Sequence, residues 1–189
     1  MRLWLVRHGQ TDWARDRRHT GRTDVPLNPA GEEEARQLGL RLARHRFDWV
    51  FTSPLSRAAD TARLAGFGDR AEPRDELLEF DYGRYEGLTT PQIRAKRPDW
   101  DLFRDGCPGG ETVAAVADRV RPFLAAVTDA DEEVLVFSHG HTIRIMTTAY
   151  LDLPLEAARH LFLLTASISV LGTEHDWPAL HRWNDQGLD

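Results

Sequence analysis

Arg7-His8-Gly9 follows directly on the apolar run Leu3-Trp4-Leu5-Val6, which puts a guanidinium and an imidazole where a buried strand reaches the surface. Two further apolar runs, Trp49-Val50-Phe51 and Val134-Leu135-Val136-Phe137, end on Thr52-Ser53-Pro54-Leu55-Ser56-Arg57 and Ser138-His139-Gly140-His141. Three strands thus deliver Arg7, His8, Arg57 and His139 to one edge. Helices starting right after those strands add free backbone N–H groups and their dipoles, so the edge should attract anions. A phosphoryl group suits it, because Arg offers planar bidentate donors and phosphoryl transfer is mostly positioning and charge stabilisation. No Ser or Thr sits in a Gly-x-Ser-x-Gly elbow, and Cys107 lacks a Cys-x5-Arg loop, which leaves the imidazole of His8 as nucleophile. The leaving alcohol needs an acid, and spacing alone admits Glu76, Glu79, Asp81 or Glu86. Glu79 is favoured because Leu77, Leu78 and Phe80 flank it, an apolar neighbourhood that suits a protonated carboxyl.

These residues need a rigid frame. Apolar spacing predicts helices over about 31–45, 54–64, 111–127 and 141–150, with a short one near 90–97. Closing strands are expected at Ile168–Leu171 and Leu180–Trp183, and Pro122 should kink its helix or sit on its exposed side. Alternation of strands and helices predicts an α/β fold, a three-layer α/β/α sandwich with a mostly parallel central sheet and its site outside the carboxyl ends of the strands. The stretch 66–110, rich in Asp, Gly, Pro and aromatic residues, reads as an excursion over that site within one domain spanning 1–189.

With 189 residues the chain is long enough to bury roughly 70% of its unfolded surface in one core. A formal net charge of −6 argues against nucleic acid or an anionic membrane as partner, and no stretch approaches the ~20 apolar residues of a membrane span. Of the 24 basic residues only Lys96 is not Arg, a bias that reads mainly as composition, with anion recognition reserved for the arginines at the strand ends. The single Cys107 excludes an internal disulfide and suits a cytoplasmic location.

Five segments occur in order: Leu5-Val6-Arg7-His8-Gly9-Gln10-Thr11, Thr52-Ser53-Pro54-Leu55-Ser56-Arg57-Ala58, Glu79-Phe80-Asp81-Tyr82-Gly83, Gly109-Gly110-Glu111-Thr112 and Ser138-His139-Gly140-His141. Together they resemble the histidine phosphatase superfamily, the phosphoglycerate-mutase-like proteins, over nearly the whole chain. The resemblance implies a phosphorylated His8, a phosphate pocket of Arg7, Arg57 and His139, Glu79 as proton donor, and no metal or other cofactor. It also implies that Gln10, Thr20, Gly21, Gly140 and His141 lie on the substrate side. Asp81 to Leu88 followed by Arg104 to Glu111 looks most like small acid phosphatases and sugar bisphosphatases. One departure is Ala14 after Trp13, where many members carry an Asn that helps hold phosphate.

The function expected is a metal-independent phosphomonoester hydrolase acting on a small phosphorylated metabolite through a phosphohistidine, with its optimum on the acid side of neutral. The alternative is a mutase. True mutases of this superfamily carry a longer basic insertion after the Glu-x-x-Tyr-Gly segment, whereas this chain has only Arg84, Arg94, Lys96, Arg97 and Arg104 there. A non-catalytic phosphate-binding protein would be free to lose the nucleophile or the acid, and both are present. His139 and His141 also invite a metallohydrolase reading, against which stand the missing Asp-rich loops and the repulsion of a cation by Arg7 and Arg57. His19, His45, His160, His175 and His181 read as surface residues. Trp13, Tyr82, Tyr85, Trp100 and Phe103 form either a wall beside the substrate or the packing of the excursion. Leu161-Phe162-Leu163-Leu164 reads as core first and as the seam of a homodimer second.

Overall fold

A computed structural model describes residues 1–128 and 132–187. Its centre is a six-stranded sheet of order β3-β2-β4-β1-β5-β6, formed by β1 (Arg2–Arg7), β2 (Trp49–Thr52), β3 (Ala71–Pro73), β4 (Glu133–Ser138), β5 (Ile168–Glu174) and β6 (Trp177–Asp185). The ladders β3-β2, β2-β4 and β4-β1 are parallel, while β5 runs antiparallel to both β1 and β6. The sheet is mixed and mostly parallel, as the α/β expectation requires.

Side-chain alternation along the strands sends residues to two separate cores. Trp4, Val6, Val50, Leu135 and Phe137 pack with Leu38 of α2 (Pro29–Leu42) and Ala62 of α3 (Ser56–Leu64) on one face. Leu3, Leu5, Phe51, Val134 and Val136 pack with Val116 and Val120 of α6 (Val113–Thr128) and Ile143 of α7 (Gly140–Tyr150) on the other. These are three layers, and each fully buried aliphatic side chain contributes on the order of 1.5–3 kcal/mol. The α6 helix continues through Pro122, which is exposed, so the ring stands on the solvent side.

The register positions the site. Arg7 pairs with Ser138 across β1 and β4, and Thr52 pairs with Phe137 across β2 and β4. The residues that follow, His8, Ser53 and His139, are therefore neighbours at the carboxyl edge. Gly9 makes this possible, because a Cβ there would lie 2.4 Å from the carbonyl oxygen of Gly31 in the first turn of α2. Only glycine lets that helix close onto the turn after β1.

Several elements escape the sequence reading. A one-turn helix α1 (Asp12–Arg15) follows β1, capped by Thr11 Oγ1 accepting from Ala14 N, and β3 is an edge strand of three residues. In the 66–110 stretch the short helix expected near 90–97 is present as α4 (Thr90–Arg94), whereas β3 and α5 (Leu102–Asp105) are unexpected. Elements this short bury too few residues to show a period. The closing strand β6 is longer than expected, because as an edge strand with mostly exposed side chains it lacks an apolar pattern at its ends.

Candidate active site

The carboxyl edge opens into a cavity of about 790 Å³ whose lining includes Arg7, His8, Gln10, Thr20, Glu79 and Gly140. The imidazole of His8 is 4% exposed. Its Nδ1 lies 2.7 Å from the carbonyl oxygen of Gly9. A carbonyl can only accept, so Nδ1 carries the proton and the lone pair is on Nε2. Burial first, then the charges of Arg57 and Arg7, push the His8 pKa well below its usual value. The ring is therefore neutral and nucleophilic in mildly acidic solution. We expect kcat/KM on a phosphomonoester to show no loss attributable to His8 between about pH 7 and about pH 5.5; a fall following a group with the ordinary histidine pKa of about 6.5 would contradict this, and a pH–rate profile decides.

Two cations back the imidazole. Arg57, in the first turn of α3, is fully buried and uses Nη1 and Nη2 on the carbonyls of Thr23, Thr20 and Gly21. Arg7 donates Nη1 to the carbonyl of Leu163 at 2.6 Å. The ring of His139 stands 5.2 Å from that of His8 and places Nε2 2.7 Å from Ser53 Oγ. Burial, then Arg57 and His8, hold His139 well below its usual pKa. Among the described residues four buried side-chain polar atoms have no hydrogen-bond partner, and three of them belong to this group: Arg7 Nε, Arg57 Nε and His139 Nδ1. Buried polar atoms are rarely left so.

Of the four candidate acids only Glu79 lines the cavity. Glu86 instead accepts from Gly21 N and Thr23 N, Asp81 accepts from Gly83 N, and Glu76 offers its backbone carbonyl to Arg119. The expected apolar neighbourhood of Glu79 is corrected. Its Oε1 accepts from Phe80 N, Thr142 N and Thr142 Oγ1, and its Oε2 from His141 N. The side chains of Leu77 and Phe80 beside it in sequence are buried in the core, while the carboxyl caps α7. The free helix N-termini expected to hold the anion are corrected for the same reason. Glu79 occupies the first turn of α7, and Asp24 Oδ1 takes Ser56 N and Oγ at the start of α3. Positive character here comes from side chains.

Around this centre lies a buttress. The segment 18–24, whose Arg18, His19 and Thr20 line the cavity, is tied to 86–88 through Arg18 Nη1 to the Gly87 carbonyl, His19 N to the Leu88 carbonyl and the Glu86 clamp on Gly21. Thr20 reaches the cavity, whereas Gly21 is buried behind it. Glu111 of the Gly-Gly-Glu segment accepts from Asp81 N and Arg119, and Arg119 in turn holds the carbonyls of Glu76 and Glu79. Burial raises the Glu111 carboxyl, but the hydrogen bond and charge of Arg119 outweigh it and leave its pKa below the ordinary range. The motif thus fixes the backbone that carries Glu79.

The sequence profile of the histidine phosphatase superfamily (branch 1) matches residues 3–186. The chain belongs to that superfamily. An acid phosphatase of Mycobacterium tuberculosis is 44% identical over 178 residues, covering 92% of this chain and 87% of the relative. Sedoheptulose 1,7-bisphosphatase of Saccharomyces cerevisiae is 32% identical over 184 residues, covering 80% and 68%. A solved Mycobacterium tuberculosis structure superposes with a TM-score of 0.92 at 42% identity, covering 97% of this chain and 96% of that one.

Other parts of this histidine phosphatase superfamily site carry no signal in the sequence. His19 is no surface residue: it lines the cavity, packs 4.8 Å from the ring of Tyr82, and burial lowers its pKa to about 4. It lies in an irregular segment beyond α1, where no apolar period marks a side chain as buried. Of the aromatic group, Tyr82, Trp100 and Phe103 are all core, and Tyr82 also lines the cavity. Tyr82 Oη lies 2.6 Å from His141 Nδ1. Burial, then Glu79, keeps the phenol pKa well above its usual value, so the hydroxyl stays protonated and the two groups share one hydrogen bond. His139 and His141 therefore serve different partners and do not chelate together, and among the described residues no group of three or more His, Cys, Asp or Glu could hold a metal ion. The Leu161–Leu164 run is core only at Leu163: Phe162 is 67% exposed, and Phe162, Leu163 and Leu164 line the cavity. Ala14 lines the cavity with a methyl group at the position where many members of the superfamily carry Asn.

Proposed function

We propose that this protein is a metal-independent phosphomonoester hydrolase working through a phosphohistidine. The observation that carries the reading is the neutral, buried His8 with Nε2 unprotonated beside three orphaned polar atoms of Arg7, Arg57 and His139. The phosphoryl oxygens supply partners for those atoms. His8 Nε2 attacks phosphorus, the P–O bond breaks, and the leaving oxygen takes a proton from the Glu79 carboxyl. The Gly9 carbonyl accepts from Nδ1–H and stabilises the positive charge on the phosphorylated ring. Water then attacks phosphorus and gives one proton to Glu79. The P–N electron pair returns to Nε2, and hydrogen phosphate leaves.

Hydrolysis is favoured over mutase transfer by where the cations of the 84–104 stretch go. Arg94 donates to the Trp100 carbonyl, Arg97 and Arg104 pair with Asp105, and none of that stretch's cations lines the cavity. The substrate is a small phosphorylated metabolite. Among the described residues no helix is long and apolar enough to cross a membrane. A cytoplasmic location suits the one cysteine, buried Cys107, whose thiol burial pushes up to about 12.

The test is hydrolysis of p-nitrophenyl phosphate and of an alkyl phosphate in excess EDTA. Wild-type protein turns over both. Glu79→Gln loses about 10²-fold or more on the alkyl ester, whose leaving group needs a proton, and far less on the aryl ester. Equal losses on the two would remove Glu79 from the acid role. Turnover only with added metal would overturn the mechanism.

A further inference from the structure

The cavity wall carries more positive charge than one phosphoryl group calls for. Arg7, Arg15, Arg17, Arg18 and Arg144 line it against one carboxylate, Glu79, in a chain whose formal net charge is −6. Such local reversal of sign focuses anions. Three of the five are accounted for. Arg7 belongs to the phosphoryl site, Arg15 is neutralised by Asp12 at 2.8 Å and Asp16 at 3.1 Å, and Arg18 holds the Gly87 carbonyl.

Arg144 and Arg17 remain; among the described residues neither makes an ion pair, and Glu79, whose charge acts on Arg144, is already held by the backbone of α7. Arg144 projects from α7, its Nε donating to the Ala158 carbonyl at 2.9 Å and its guanidinium lying 4.6 Å from the ring centroid of Phe103. These two contacts fix the plane of the guanidinium and leave its other donors to the cavity. Burial lowers its pKa to about 10, so it stays charged at neutral pH in a wall that solvates it poorly. A cation held like this is costly without a counter-ion. Arg17 sits in the turn after α1 with φ of 57°, a left-handed backbone that an Arg seldom adopts. His141, held through Nδ1 by Tyr82 Oη, lines the same cavity one turn of α7 before Arg144.

We propose that Arg144 and Arg17 form a second anion subsite, which takes a carboxylate or a second phosphate on the leaving-group part of the substrate. The proposal rests on the phosphomonoesterase reading for which end of the ligand is which. It places the selective cations on α7 and on the turn after α1, not in the 84–104 stretch. Substrates carrying a second anion bind across the cavity, with the phosphoryl group at His8.

The test is calorimetric binding to His8→Ala protein, which keeps ligands intact. Two matched pairs are used: glycerol 3-phosphate against 3-phosphoglycerate, and fructose 6-phosphate against fructose 1,6-bisphosphate. The doubly anionic member of at least one pair binds about tenfold tighter or more, a difference of about 1.4 kcal/mol. Preference in the first pair alone identifies a carboxylate subsite, and in the second alone a phosphate subsite. Arg144→Gln and Arg17→Asn each remove most of the preference while leaving the singly phosphorylated members within about twofold. Arg17→Asn carries the test if the Arg144 variant misfolds, because Arg17 is exposed and Asn tolerates a left-handed backbone. No preference in either pair, or equal weakening of both members of a pair, overturns the proposal. Wild-type turnover is read separately: a binding preference without turnover sinks the hydrolase reading and leaves the subsite standing.

Discussion

His8→Ala lowers kcat on p-nitrophenyl phosphate by about 10⁴-fold or more, the scale on which loss of a nucleophile falls in hydrolases with covalent intermediates. The expectation follows from what the rest of the site cannot do. Among its neighbours Arg7 and Arg57 are cations on backbone carbonyls, His139 spends Nε2 on Ser53, and the Glu79 carboxyl is held at the start of α7. Arg57 holds Thr20, Gly21 and Thr23, Arg7 holds Leu163, and His139 Nε2 faces Ser53. Alanine leaves the anion pocket in place, so the variant still binds phosphate while turnover is lost. Brief incubation with a radiolabelled phosphomonoester followed by denaturation gives an acid-labile, base-stable phosphoprotein in the wild type and none in the variant. Retention of a tenth of the wild-type rate by His8→Ala, with its melting temperature unchanged, would disprove nucleophilic attack by His8.

Arg57→Ala costs both stability and catalysis. The guanidinium is fully buried, and removing it strands three carbonyl oxygens that it now satisfies. Only the Gly21 hydrogen bond is wholly buried, Thr20 being half-buried and Thr23 exposed, so at about 1–3 kcal/mol for an unsatisfied buried acceptor the loss is about 1–3 kcal/mol. For a chain of this size that lowers Tm by about 2–12 °C. Catalysis falls with it by about 10²–10³-fold, the scale for loss of one pre-organised donor to developing charge. Arg57→Lys does not rescue the fold, since one ammonium on a flexible stem cannot reproduce the planar fork that spans Thr20, Gly21 and Thr23. Calorimetry and kcat/KM on p-nitrophenyl phosphate read the two losses independently. An Arg57→Ala protein that melts with the wild type would show that Glu86 on Gly21 and Thr23, with Asp24 on Ser56, suffices to hold the segment 20–24.

Much of the frame is legible in the sequence. The runs Leu3–Val6, Trp49–Phe51 and Val134–Phe137 announce central strands because both faces of each are covered, leaving no room for polar residues except at the ends. The clusters at those ends stand out by contrast, and the parallel register brings His8 beside His139 without further help. The short pieces are not legible. In α1, β3 and α5 the residues are placed by capping and by contacts distant in sequence, such as Thr11 Oγ1 to Ala14 N and the pairing of Val50 with Ala71.

Local polarity and spacing are enough to set which reactive residue types stand at the strand ends and in what order the motifs follow. Choosing between chemically equal candidates takes the packed fold. Glu79 differs from Glu86 not in residue type but in which backbone it meets: one caps α7 at the cavity, the other clamps Gly21 N behind it. Likewise His19 and Arg144, ordinary in the sequence, gain their character from burial against groups dozens of residues away, Tyr82 for one and Phe103 for the other. Burial and charge act through space, so a side chain's pKa and its partners are properties of the packed molecule.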